Sequence, residues 1–382
     1  MEGHLVQRGK SRVWWLVFDV PKVRGERRRQ RWVRIGRGTR SEAVRRKRET
    51  LREFDKGNWH ENRDLTVGEL LTLWLRDNEH RLQARTHEGY VSKVQCHLAP
   101  SLGSILVSRL KPTHVIQAYA TARSKGLSGQ SCVHLHRILH TAMHYGMKTL
   151  RVVGENIMDA VPAPKPDTRE PQGLNEDHVR MIIEAARGTR LEVPVIVTAI
   201  TGLRRSELLA LQWSISIDLD RRVIAVMRAL EQTRKHGVRL KDTKSRSSRR
   251  QIPIPSALVD VLRLHQIRQK ANRSGACQSS NGLDLVFCNE DGSFWPPDSF
   301  TAAYSRVARL VGLQGRLRFH DLRHAFASLL LRNGTSVKEV SVLLGHSSGT
   351  LTLSTYAHSM EGMGREAVEK LSHSLLKPGQ VA

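Results

Sequence analysis

The chain is poor in acid, in cysteine and in long apolar runs, and each shortage narrows what it can be. Thirty-six Asp and Glu face 62 Lys and Arg in 382 residues, leaving a net charge of +26 at pH 7 and an isoelectric point near 10.8. Such a balance points to a polyanionic partner, nucleic acid first and an anionic membrane surface second. The membrane is the weaker of the two. The longest largely apolar run, 193–200, is far short of the roughly 18 residues that a spanning helix needs. Residues 1–22 alternate Trp and Val with charges, which is not a signal-peptide pattern. The four cysteines, Cys96, Cys132, Cys277 and Cys288, are scattered without a C-x-x-C pair. That excludes a disulfide framework and fits free thiols in a reducing cytosol. Gly9-Lys10-Ser11 lacks the upstream glycine of a phosphate-binding loop, so nothing argues for ATP.

What the chain does hold is arranged in order. Residues 1–64 carry 19 Lys and Arg against 9 Asp and Glu, a net of +10. Strands are expected at 13–18 and 31–35, where β-branched and aromatic residues gather, and a helix after the capping box Thr39/Glu42. Together with the Arg27-Arg28-Arg29 run, this reads as a small sheet with one helix and a DNA-facing basic surface. From Leu65 the periodicity becomes helical. Thr66 and Glu69 form a second capping box, Leu65 and Leu70 a hydrophobic staple, and Val67, Leu70, Leu71 and Trp74 one apolar face. Further helices are expected at 86–97, 113–122 and 128–147. Within the last, Cys132, His136, His140 and His144 fall at successive i+4 positions. The row would span roughly 18 Å, so at most two of them could share one ion, and a packed or DNA-facing stripe is the better reading.

The proline-rich stretch 161–172 is expected to be an extended linker. Beyond it, Asn175 caps a helix, a buried helix covers 191–200, and strands at 222–227 and 251–254 flank the basic segment around Lys241 and Lys244. Helices resume after Pro296. The domain plan is therefore 1–64, 65–160, a linker at 161–172, and 173–382, in a mainly α chain with small β elements (an α+β class).

The chemistry-bearing residues lie in the last of these. Thr201-Gly202-Leu203-Arg204 runs into Arg205-Ser206-Glu207-Leu208. His320-Asp321-Leu322-Arg323, Leu344-Gly345-His346 and Thr355-Tyr356 follow, with the tyrosine ten residues past His346. Arginine grips phosphate through a rigid fork of donors, histidine carries a proton near neutral pH, and tyrosine can be a covalent nucleophile. The set suggests phosphoryl transfer through a tyrosine ester.

In this order and context the boxes resemble those of the tyrosine recombinases of the phage-integrase family, in particular the larger, arm-binding integrases. Leu98-Ala99-Pro100-Ser101-Leu102-Gly103 is similar to part of that family's helical core-binding domain, and residues 1–64 to an arm-binding domain. The resemblance implies a site-specific recombinase that cuts and rejoins DNA through a 3′-phosphotyrosyl intermediate to integrate or excise a prophage or other mobile element. It implies Tyr356 as nucleophile, Arg204 and Arg323 as the phosphate clamp, and His320 as base or proton carrier. It further implies His346 as a hydrogen-bond donor to phosphate, Lys244 as general acid with Lys241 the lesser candidate, and Glu207 as the residue that orients the basic groups. No cofactor or metal is implied. The partners implied are double-stranded attachment sites of core and arm type, a homotetramer on DNA with 362–376 as the docking segment, and a small excisionase. The expected location is the bacterial cytosol. A type IB topoisomerase and a DNA-binding protein without catalysis are the alternatives.

Overall fold

The computed structural model describes residues 3–8, 13–19, 30–55, 65–167, 174–242, 249–273, 283–312, 317–346 and 348–356. The chain divides into two units, Met1–Thr168 and Arg169–Ala382, so the division falls inside the proline-rich strap.

The first unit opens with a three-stranded antiparallel sheet in the order β1 (Gly3–Arg8), β2 (Val13–Asp19), β3 (Gln30–Gly36), followed by helix α1 (Arg40–Asp55). Leu16, Phe18, Ile35 and Ala43 form its small core. The capping box forms as expected: the Thr39 amide donates to Glu42 Oε2 at 3.0 Å and the Glu42 amide to Thr39 Oγ1 at 3.4 Å. Strand β1 was not expected, because Gly3–Arg8 has little apolar alternation and is recruited by pairing with β2. The Arg27–Arg29 run lies outside the described residues.

The remainder of this unit is helical: α2 (Val67–Asn78), α3 (Ala84–Lys93), α4 (Ala99–Leu102), α5 (Pro112–Ser124) and α6 (Gly129–Lys148). Thr66 and Glu69 cap α2 reciprocally, and Val67, Leu70, Leu71 and Trp74 are buried as the periodicity requires. The helix expected at 86–97 is instead α3 followed by a widened π turn at Val94–Leu98. Pro100 has no amide hydrogen for the carbonyl four residues back, and the widened turn ahead of it takes up the misfit. The strap stays extended to Asp167, whose carboxylate accepts from Arg123 Nη1 at 2.9 Å and the Gly129 amide at 2.6 Å.

The second unit begins with α7 (Glu176–Ala186), capped by Asn175, then α8 (Glu192–Thr201), α9 (Arg205–Leu208) and α10 (Trp213–Ser216). A small antiparallel sheet pairs β4 (Ile217–Asp218), β5 (Val223–Val226) and β8 (Arg250–Pro253), while β6 (Arg228–Thr233) and β7 (Gly237–Asp242) form a separate hairpin. Helices α11 (Ser256–Arg273), α12 (Pro297–Leu310), α13 (Phe319–Arg332), α14 (Val337–Leu344) and α15 (Gly349–Tyr356) complete it. The main core joins α7, α8, α11, α12 and the sheet through residues such as Ile182, Val195, Leu208, Ile224, Ile252, Leu262, Phe300 and Leu322. A second cluster, Phe326, Leu331, Val340, Leu344 and Tyr356, ties α13 to α14 and α15.

Candidate active site

Two helix ends set the geometry. α8 stops at Gly202 and α14 at Gly345, both in the left-handed region with φ of 63° and 64°. Only glycine adopts this readily, which explains the glycine in each box. At Gly202 space forbids a side chain as well, since a Cβ would sit 2.4 Å from the Phe326 ring.

The end of α14 is where the arginines meet. The carbonyls of its last turn have no partner within the helix. Those of Ser341 and Val342 accept from the amides of Gly345 and His346. The next three each accept from a guanidinium. Arg250 Nε donates to the Leu343 carbonyl at 2.7 Å, Arg323 Nη2 to Leu344 at 2.5 Å, and Arg204 Nη2 to Gly345 at 3.4 Å. These side chains come from β8, α13 and the cap of α9, and they converge on the electronegative end of one helix dipole. Arg323 also donates from Nη1 to the Gly202 carbonyl at 2.7 Å, so the two glycine turns are joined through it.

Glu207 binds the arginines from the other side. It accepts from Arg204 Nη1 at 2.7 Å and from both terminal nitrogens of Arg250, at 3.1 and 2.8 Å. Burial alone would raise its pKa, but the hydrogen bonds and charge of Arg250, then the charge of Arg204, bring it down to about 2. Burial lowers Arg323 to about 9, with Arg204 adding to the effect and Glu207 opposing it, so it remains a cation at neutral pH.

The imidazoles sit in the field of these cations. Burial first, then His324, Arg323 and Arg204, lower His320 to about 4. Burial, Arg323, Arg204 and Arg250 do the same to His346. Both rings are neutral at pH 7 and can donate or accept a hydrogen bond. His346 Nδ1 is 2.8 Å from Thr352 Oγ1, which is 2.5 Å from Ser341 Oγ, and Thr352 and Ser341 are buried. Tyr356 is 2 % exposed, and burial raises its phenol to about 12 while Arg323 and Arg204 pull it back. The phenol oxygen lies 2.8 Å from Nδ1 of His324.

Arg204, Glu207, His320, Arg323, His346 and Tyr356 are thus drawn from four separate stretches into one neighbourhood. Lys244 lies outside the described residues, as does 362–376. Lys241, the lesser candidate, is committed to Glu231 across the β6–β7 hairpin at 3.2 Å. The i+4 row on α6 is divided between packing and surface, with His144 exposed. Cys132 is buried among the helices of the first unit, His136 pairs with the Tyr119 hydroxyl at 3.2 Å and His140 with Asp159 at 2.9 Å. No group of residues able to hold a metal ion occurs among the described residues.

Two participants were not foreseen. Arg250 closes the pair with Glu207, and the sequence held a signal for it: Arg250, Ile252 and Ile254 alternate with Gln251 and Pro253, which places an arginine on a core-facing strand edge where it must be paired. His324 follows His320 by four residues on α13, hence on the same face, and the two rings meet edge to face at 4.9 Å. The resemblance implies His320 as base or proton carrier for the phenol; the hydrogen bond on the phenol goes to His324.

Residues 172–362 match the model of the phage integrase family, and 66–121 that of the SAM-like N-terminal domain of phage integrases. The chain belongs to the phage integrase family. A relative within that family is a XerC-like tyrosine recombinase of Caldanaerobacter subterraneus subsp. tengcongensis, 27 % identical over 354 residues, covering 87 % of this chain and 90 % of its own. The fold is similar to that of the Tn1549 transposon integrase solved with a circular intermediate DNA, with a TM-score of 0.70 and 22 % identity over 80 % of this chain and 99 % of that one. It is also similar to a lambda integrase dimer bound to a core site, with a TM-score of 0.57 and 17 % identity over 94 % and 95 %. Both confirm the α+β fold class of this integrase-family chain.

Proposed function

We propose that the chain is a site-specific DNA recombinase that cuts and rejoins strands through a 3′-phosphotyrosyl intermediate, integrating or excising a prophage or similar element. The observation that carries the reading is the convergence of Arg204 and Arg323 on the end of α14, with His320, His346 and Tyr356 around them, in a chain of the integrase family.

The assigned chemistry follows from these positions. Two preorganised guanidiniums bracket the scissile phosphate and meet the charge that grows on its non-bridging oxygens, an effect worth on the order of 3–4 kcal/mol per donor in comparable sites. His346, neutral and held by Thr352, hydrogen-bonds a phosphate oxygen. Tyr356 attacks phosphorus, and the 5′-oxygen leaves with a proton from Lys244. The pairing of Lys241 with Glu231 favours Lys244 for that task. Glu207 holds Arg204 in place. His320, beside Arg323 on α13, serves the phosphate or the proton traffic around it. The ester conserves the bond's free energy, so a second 5′-hydroxyl can reseal the strand without metal or nucleotide.

The domain plan follows the same reading: 1–64 binds arm sites, 65–160 and 173–382 clamp the core site across the 161–172 strap, and four copies act on two duplexes in the cytosol, with an excisionase setting direction. No helix among the described residues is long and apolar enough to cross a membrane. The test is strand exchange between two duplexes carrying the element's attachment sites. Recombinant products support the proposal; DNA that is bound but never exchanged rejects it.

A further inference from the structure

The recombinase reading leaves the phenol with a chemical problem. Tyr356 is buried, its hydroxyl is held well above the physiological range, and as a neutral phenol it is a poor nucleophile. Its proton needs an acceptor within hydrogen-bond reach. His324 Nδ1 meets that requirement at 2.8 Å, the rings lying 5.6 Å apart and inclined by 54°. His320, one turn earlier on α13, meets the same imidazole edge to face at 4.9 Å, and its own basicity is suppressed by burial and by the groups around it.

We propose, resting on the recombinase reading, that His324 is a catalytic residue, the immediate acceptor of the Tyr356 phenol proton. With the ring hydrogen on Nε2, Nδ1 is the bare nitrogen and the phenol donates to it. As the phenol oxygen bonds to phosphorus, its proton passes to Nδ1 and leaves an imidazolium. The bond from phosphorus to the 5′-oxygen breaks with its electron pair on that oxygen, which takes a proton from the general acid. Resealing runs the steps backwards: the incoming 5′-hydroxyl returns its proton to the acid's base form, and the departing phenolate recovers the proton stored on His324. Protons and electrons balance over the cycle without any further reactant.

Among the described residues, the charged and titratable groups facing this pair include Arg323 and His320 on α13, Arg204 at the cap of α9, and His346 in the turn after α14. All but His346 and His320 are fixed cations, and those two rings are neutral at pH 7, so the acceptor works beside positive charge that also stabilises the phenolate as it forms.

The experiment is the initial rate of covalent adduct formation by the full chain on a nicked duplex carrying its attachment site, measured from about pH 5.5 to 9.5 for wild type, His324→Gln and His320→Gln. Gel-shift binding of the intact duplex reports on folding. Glutamine keeps a hydrogen bond to the phenol but accepts no proton. The expected result for His324→Gln is retained DNA binding with a rate at neutral pH lower by roughly 100-fold or more, the usual worth of a general base. The deficit should shrink as pH rises, because hydroxide replaces the missing base. A His324→Gln rate within about threefold of wild type overturns the proposal. So does a loss that is constant across pH, the mark of a packing role, or a hydroxide-dependent profile in His320→Gln instead. No adduct from wild type on its own attachment site would remove the recombinase reading and this inference with it, an outcome distinct from the others.

Discussion

Arg250 and Glu207 form a two-point ion pair with both side chains only 4 % exposed. Neither charge is open to water, so removing one partner leaves the other with only its remaining protein contacts. Glu207 also carries Arg204, and Arg250 also holds the end of α14, so this pair fixes the spacing between a clamp arginine and the turn that bears His346.

Arg250→Ala should therefore destabilise the fold by up to about 3–5 kcal/mol, the range for breaking a buried pair, with Arg204 remaining as the partner of Glu207. Arg250→Lys should recover only part of it, because an ammonium cannot reproduce the fork. Denaturant unfolding of the full chain, followed by a signal from the second unit, checks both. An Arg250→Ala protein as stable as wild type would mean that the pair contributes nothing.

The neutral imidazoles make a separate prediction about pH. His320 and His346 are held at about 4 in the folded protein, whereas an unfolded histidine titrates near 6.5. Between those values the unfolded chain binds more protons than the folded one. Stability is complete above about pH 6.5 and falls as pH drops toward 4. Glu207, depressed to about 2, adds its own loss only below about pH 4.5. Thermal melting against pH should show the upper transition, and His320→Gln with His346→Gln should flatten it. A melting temperature unchanged from pH 7 to 5 would contradict the burial of neutral rings.

The basic amino-terminal region has a test of its own. Deleting 1–64 should leave core-site cleavage within a few-fold of wild type but abolish recombination that depends on flanking arm sites. Binding by the full chain should weaken steeply with salt, as expected when many phosphate contacts release counterions. Undiminished arm-dependent recombination by the truncated protein would remove the arm-site assignment.

Much of this was legible in the chain because local chemistry dictates it. The capping boxes at Thr39 and Thr66 and the helix cap at Asn175 need only residues close in sequence, and all three formed. The boxes around Arg204, His320, Arg323, His346 and Tyr356 could be read because their residue types leave few other uses in that order. Arg250 and His324 were harder, since a buried arginine and a second histidine acquire meaning only from partners 43 and 32 residues away. The β6–β7 hairpin escaped notice for a related reason. Arg228–Thr233 and Gly237–Asp242 are mostly polar, and their pairing with each other, including Arg239 and Lys241 on Glu231, holds them as strands where apolar alternation does not.

The central claim is that Tyr356 becomes covalently joined to DNA. The direct measurement is a nicked attachment-site duplex incubated with purified protein and resolved under denaturing conditions. Wild type should give a protein–DNA adduct, and Tyr356→Phe should give none while binding the same duplex with similar affinity. An adduct that persists in Tyr356→Phe, or wild type that binds its own site and never forms one, would contradict the account.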